Sequence, residues 1–165
     1  MANISQSGGV LSILGSGAHS FFKVDPVPGG PPDANGNPTN MVGAVALTVS
    51  DASTGHQPTV TSYAGVTMLI YEGAADNVSA SFQSNVPIDD DLAPGPGYTL
   101  VYGGFGDSDL VGGPGTNVLI GRGVITTAAI GSGPDQIINM AAPGSMAVVG
   151  TPKPGDFVYN PAAAS

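Results

Sequence analysis

Cysteine and tryptophan are absent from this 165-residue chain, and positive charge is nearly so: Lys23, Arg122 and Lys153 stand against 12 Asp and Glu, a formal net charge of −9. Without thiols there is no disulfide framework and no Cys-based metal site, which fits synthesis in a reducing host cytoplasm. Three scattered cations cannot neutralise a run of phosphates, so nucleic acid is excluded as a partner. Binding to an anionic membrane is excluded for the same reason. No apolar run reaches the ~18 residues of a spanning helix. The start, Met1-Ala2-Asn3-Ile4, has neither the basic nor the long apolar region of a secretory signal. Charged residues are 9% of the chain, against about a quarter in an average domain. Its surface must therefore be largely Ser, Thr, Asn, Gly and exposed apolar groups.

What is present is glycine, proline and short β-type runs. Gly 26 and Pro 15 break every stretch before a helical period can establish itself. Val, Thr, Ile, Tyr and Phe fill runs of four to eight residues, as pleated, half-buried strands require. Strands are expected at 10–14, 20–24, 42–49, 59–64, 67–71, 78–83, 98–102, 117–120, 124–130, 136–140, 146–149 and 156–159. Pro-Gly pairs at 28–29, 94–95, 96–97, 114–115, 143–144 and 154–155 predict type II turns, where glycine takes a positive φ. The pattern predicts an all-β fold with long Gly/Pro loops and little or no helix: an antiparallel β-sandwich or barrel, jelly-roll-like or Ig-like. A single domain spans 1–165, within which a Pro/Gly-rich loop over 25–41 sets residues 1–24 apart as a candidate N-terminal arm.

The catalytic inventory is poor. His19, His56 and Glu72 are the only residues of their kinds. No nucleophile elbow, phosphate loop or dinucleotide fingerprint occurs, so no enzyme and no cofactor is expected. Asp89-Asp90-Asp91 reads as a solvated, mutually repelling tip, with a shared cation as the alternative. Phe21 and Phe22 are adjacent, and adjacent strand residues face opposite ways; with Lys23 they form a candidate partner interface. Tyr98, Tyr102 and Phe105 are the candidates for a ligand-stacking platform, although a glycan site would favour the missing tryptophan.

The sharpest motif is Gly103–Ile120, GGFGDSDLV followed by GGPGTNVLI. It resembles two copies of the repeats-in-toxin nonapeptide G-G-x-G-x-D-x-U-x, which builds a calcium-binding parallel β-roll. The Asp of position six is replaced by Ser108 and Asn117. The resemblance thus implies a local glycine loop with Asp107, Asp109 and Asn117 as weak cation candidates, the alternative being a Gly-rich hairpin. Over its whole length the acidic, cysteine-free Gly/Pro/Ser/Thr/Ala chain of short strands resembles the head decoration, or cement, proteins of tailed bacteriophages. That resemblance implies a non-enzymatic virion protein on the outer surface of the head. There it would be a homo-oligomer, with a trimer favoured, clamping major capsid protein or other shell subunits. The alternatives are a carbohydrate- or surface-binding β-module of tail or fibre type, and a weakly calcium-binding glycine-repeat protein.

Overall fold

A computed structural model describes residues 3–15, 17, 19–27, 45–52, 59–73 and 78–161. These form fifteen strands and no helix: β1 (Asn3–Ser7), β2 (Val10–Leu14), β3 (His19–Pro26), β4 (Val45–Asp51), β5 (Thr59–Val66), β6 (Met68–Glu72), β7 (Ser79–Ser84), β8 (Asp89–Ala93), β9 (Tyr98–Tyr102), β10 (Ser108–Val111), β11 (Thr116–Gly121), β12 (Thr126–Ala129), β13 (Asp135–Asn139), β14 (Met146–Val149) and β15 (Phe157–Tyr159). The all-β expectation holds. The sandwich or barrel does not: the chain is a two-sheet β-solenoid.

Sheet A runs β1-β2-β6-β8-β10-β12-β14, and sheet B runs β15-β13-β11-β9-β7-β3-β4-β5. Each coil contributes one strand to each sheet: β2/β3, β6/β7, β8/β9, β10/β11, β12/β13 and β14/β15. Within these coils, strands that follow one another in sequence therefore do not pair. Each pairs in parallel with its counterpart one coil later, as Asp109 with Thr127 and Asn117 with Asp135. An antiparallel sandwich needs hairpins between neighbouring strands; here the short corners turn the chain into the opposite sheet instead.

The turn comes every nine residues. Leu92, Val101, Leu110, Leu119, Ala128 and Ile137 are spaced by nine, and all are fully buried. Asp90, Thr99, Ser108, Asn117, Thr126 and Asp135 keep the same spacing and are also buried. Both sets point inward because alternate strand residues share a face. The stacked coils give continuous rows, Ile13-Tyr71-Leu92-Leu110-Ala128 in sheet A and Phe22-Phe82-Val101-Leu119-Ile137 in sheet B. Tyr71 and Phe82 stack across the two sheets at 4.5 Å, with Phe22 tilted against both. Burying each such side chain contributes about 1.5–3 kcal/mol, so a thin core suffices when every coil repeats it.

Two local expectations change. Gly144 and Gly155 take positive φ as type II turns require, but Gly95, Gly97 and Gly115 do not. Gly115 is needed for space: a β-carbon there would press on the Gly97 carbonyl oxygen of the coil below, and one at Gly133 on the Gly115 oxygen. Asp89-Asp90-Asp91 is not a tip but the start of β8, with Asp90 turned inward; ladder pairing on both sides outweighs the poor strand propensity of aspartate.

The two ends differ. At the N-terminal end β1 adds antiparallel to β2, while β4 and β5 extend sheet B antiparallel beyond β3. Sheet B thus reaches two strands past the first coil and sheet A only one, so that end is stepped. At the C-terminal end β14 and β15 belong to the same coil and finish level. Residues 3–15 and 19–24, inside the stretch 1–24 read as an arm, contribute to three strands of these sheets, β3 running on to Pro26. Most of the 25–41 loop and His56 lie outside the described residues.

Candidate interaction surface

The outward positions of the two sheets are chemically unlike. On sheet A, Glu72, Asp89, Asp91 and Asp109 point outward from neighbouring strands. Burial, then the charges of Asp109 and Glu72, push the Asp91 carboxyl above its ordinary value. This face carries an acidic band over β6, β8 and β10, with exposed Leu14, Val111 and Val149 on other parts of it.

The outer face of sheet B carries three cross-strand rows. One is Gln83-Tyr102-Ile120-Ile138-Tyr159, the next Ser81-Leu100-Val118-Gln136-Phe157, and the third Ser79-Tyr98-Thr116. Val118 is only 8% and Ile120 only 6% exposed although both face outward, because larger neighbours in their rows cover them. Tyr98, Phe157 and Tyr159 remain about half exposed. From β7 to β15 this face holds no acidic side chain among the described residues.

The sequence candidates fall on this surface in part. Phe21 is exposed on the outer face of β3, and Phe22 is buried in the core, so the adjacent rings divide as strand alternation requires. Lys23 lies beside Phe21 and forms a 2.9 Å ion pair with Asp25. A shallow groove of about 310 Å³ follows, lined by Phe21, Lys23, Ser50, Ser81 and Gln83. Tyr98 and Tyr102 share the outer face of β9, with Phe105 at the adjoining corner. Arg122, which sequence reasoning assigned no role, lies over the Tyr102 and Phe105 rings at 5.1 and 5.0 Å from their centroids. Its guanidinium also donates to the Gly103 and Ser84 carbonyls and to Asn85 Oδ1. It covers the ring faces a sugar would stack on and clips two corners together. His19 Nδ1 is 2.7 Å from Ser79 Oγ.

Asp107, Asp109 and Asn117 do not converge. Asp107 sits at a corner, Asp109 faces outward from sheet A, and Asn117 is buried inside sheet B. The calcium that the nonapeptide resemblance implies would need oxygen ligands from the glycine corners. Those oxygens already accept hydrogen bonds. Asn117 Nδ2 donates to the Gly113 and Gly115 carbonyls and to Asp135 Oδ1, at 3.3, 3.1 and 2.8 Å. One coil on, Lys153 Nζ donates to the matching carbonyls of Gly131 and Gly133. An amide and an ammonium thus occupy these corner carbonyls, and no group of three His, Asp or Glu among the described residues is arranged to hold a metal. The residues present do not fit calcium. Adding millimolar Ca²⁺ or EDTA is therefore expected to leave the melting curve in place. Because a bound ligand stabilises by mass action, a shift of more than ~2 °C with Ca²⁺ would restore the metal site.

Asp90 is the one buried carboxylate among the described residues without a full set of partners. Its Oδ2 accepts from the Gly104 amide at 2.6 Å. Its Oδ1 and the hydroxyls of Ser84 and Ser108 have no protein partner in bonding geometry. Burial pushes its pKa up to about 6, opposed by the nearby Ser108 hydroxyl, the Gly104 amide, the Ser84 hydroxyl and the Arg122 charge.

No protein-family model, curated protein or solved structure matches the chain.

Proposed function

We propose that the chain is a non-enzymatic structural protein of a large particle, in the manner of a phage head decoration protein, and that it attaches through the outer face of sheet B. The observation that supports this reading is the contrast between the two sheet faces. A near-neutral face on which Tyr98, Phe157 and Tyr159 are about half exposed and Leu100 and Ile138 partly so can be buried with little charge to desolvate. The acidic face opposite would stay in solvent. A parallel solenoid suits this role, because its ladder fixes the outward side chains before the partner arrives and little ordering is left to oppose binding. Contiguous exposed apolar patches of this kind mark interaction sites.

Glycan binding at Tyr98, Tyr102 and Phe105 is the lesser reading, since Arg122 occupies the faces of two of the three rings. The deciding measurement is gradient sedimentation of native source material with detection of this chain. Co-migration with megadalton particles at a fixed ratio to a shell protein is expected. Recovery only near the top of the gradient would remove the particle reading. The Leu100→Glu variant places a charge in the middle of the face and is expected to lower particle-bound protein at least tenfold, with the far-UV spectrum unchanged. Undiminished attachment would move the docking surface elsewhere.

A further inference from the structure

The corners of the coils stack into two long edges, and the two are unlike. The edge leading from sheet A to sheet B, residues 94–97, 112–115, 130–134 and 150–156, is mostly Gly, Pro, Ser and Thr and has no exposed large apolar side chain. The edge leading back from sheet B to sheet A carries Phe105, Val124, Ile125 and Met140, which are 48%, 72%, 56% and 64% exposed. We propose that this apolar edge joins a second copy of the chain about a two-fold axis perpendicular to the solenoid, the two edges lying antiparallel. The contact does not rest on the particle reading and uses a different part of the surface from the outer face of sheet B.

Four observations lead there. First, the residue types are not those a corner asks for. Turns draw Gly, Pro, Asn, Asp and Ser, as the opposite edge shows, whereas Val124 and Ile125 are β-branched and point away from the core. Second, the four side chains are contiguous. Ile125 O accepts from the Ser108 amide, and the Met140 amide donates to Gly121 O, so the corners of three successive coils lie side by side. Exposed Ala142 and Pro143 continue the ridge. Third, its area suits a second copy. The four side chains expose roughly 400 Å² of apolar surface, in the range of the largest patches on monomers. With the corner backbone and the bordering Tyr102, the contact would cover about 700 Å² per copy, close to the ~800 Å² of a standard interface. Fourth, this edge can approach its own copy although the chain carries a net charge of −9. Within 103–107, 122–125 and 140–145 the charged residues are Asp107 and Arg122, one of each sign. The other carboxylates near this edge, Asp89 and the band beyond it, lie on lower coils or on the outer face of sheet A.

Charge also chooses the axis. A two-fold or three-fold axis parallel to the solenoid would set every residue level with its own copy, bringing Asp107 to Asp107 and Asp89 to Asp89 on coils ~4.8 Å apart. A two-fold axis perpendicular to the solenoid, passing beside the middle coil, sets Val124 and Ile125 against their own copies. It sets Phe105, one coil below, against Met140 of the second copy, one coil above, a favourable thioether–aromatic pairing. The two Asp107 carboxylates then stand about two coils, ~10 Å, apart, near the screening length of physiological salt. Asp89 falls beyond the contact. A two-fold patch must be complementary to itself, and an apolar ridge of zero net charge meets that condition. The result is a dimer in place of the trimer implied by the phage resemblance.

Sedimentation velocity of the full chain tests this without reference to any particle. The weight-average mass is expected to rise from 16.2 kDa towards twice that value between ~1 and ~300 µM. Val124→Lys changes a solvent-facing corner side chain. It should raise the midpoint concentration at least tenfold, with the far-UV spectrum and melting temperature unchanged. Leu100→Glu, on the sheet B face alone, should dimerise like the parent. Because the chain has no cysteine, single-cysteine variants report the axis. On mild oxidation Val124→Cys should give a disulfide-linked dimer and Tyr98→Cys should not. A mixture of Phe105→Cys and Met140→Cys should link across in preference to either alone. A parent that stays monomeric at every concentration overturns the proposal and leaves the ridge to a partner of another kind. A Val124→Lys variant that dimerises unchanged also overturns it, as does a dimer abolished by Leu100→Glu, which would assign the contact to the sheet B face. Phe105→Cys linking to itself more readily than to Met140→Cys would overturn the perpendicular axis.

Discussion

Replacing Gly115 by alanine is expected to destabilise the fold by ~3 kcal/mol or more, lowering the melting temperature by roughly 6–12 °C. The reason lies in what the added carbon meets. At Gly115 it meets the Gly97 and Pro96 carbonyls, which are backbone of the neighbouring coil. A flexible side-chain tip could swing aside, but a paired backbone moves only if the coil spacing opens, and that loosens the ladders on both sides. Gly133 repeats the contact one coil later against Gly115. Gly8 gives the control: its φ is +57 with no neighbour within 4 Å, and asparagine tolerates that conformation, so Gly8→Asn should stay within ~0.5 kcal/mol of the parent. Equal melting temperatures for Gly115→Ala and the parent would show that the coils are not in this contact.

The second large effect is a gain. Asp90→Asn is expected to raise the melting temperature by roughly 5–10 °C at pH 7 and by almost nothing at pH 4. In the folded chain burial lifts the Asp90 carboxyl to about 6, above the ~3.9 of an unfolded chain. The native state therefore binds the proton more tightly than the unfolded state. The contribution of Asp90 to stability is full below pH ~4, falls as pH rises through about 6, and leaves a penalty of about 2–3 kcal/mol at neutral pH. Asparagine removes the charge and keeps an oxygen for the Gly104 amide. Its nitrogen replaces the partnerless Oδ1 with a neutral donor in a pocket that also holds the unpaired Ser84 and Ser108 hydroxyls. The comparison is between variant and parent at each pH, because Asp25 and Asp156, whose pKa values are lowered, titrate with the opposite sign in both proteins. A variant no more stable than the parent at pH 7 would show that Asp90 is already neutralised by its neighbours.

Much of the local structure was legible in the residues. Val10–Leu14, Tyr98–Tyr102 and Met146–Val149 fall where their alternation places them, and Phe21 and Phe22 part to opposite faces as period two requires. The architecture was legible too, but only from a longer frame. The tandem at Gly103–Ile120 is the middle of a nine-residue pattern that runs at least from Asn85 to Ile138. It is hidden because its sixth position changes identity, Asp90, Thr99, Ser108, Asn117, Thr126, Asp135, and keeps only small size and hydrogen-bonding capacity. A turn rule alone cannot distinguish a hairpin from a solenoid corner, since both need Pro and Gly. Gly115 and Gly133 serve close approach where Gly144 and Gly155 serve positive φ. The apolar outer face was not legible. Tyr102, Ile120, Ile138 and Tyr159 come from four strands, and only the parallel register sets them side by side.

The repeat makes length a discrete quantity in this protein. Adding or removing one 18-residue coil, such as residues 94–111, shifts everything beyond it by one strand spacing, about 4.8 Å, without rotating either face out of register. Each step adds or subtracts one rung of sheet B's outer face and leaves both ends as they were. The length of such a chain therefore changes by whole coils, as a ruler is read in marks.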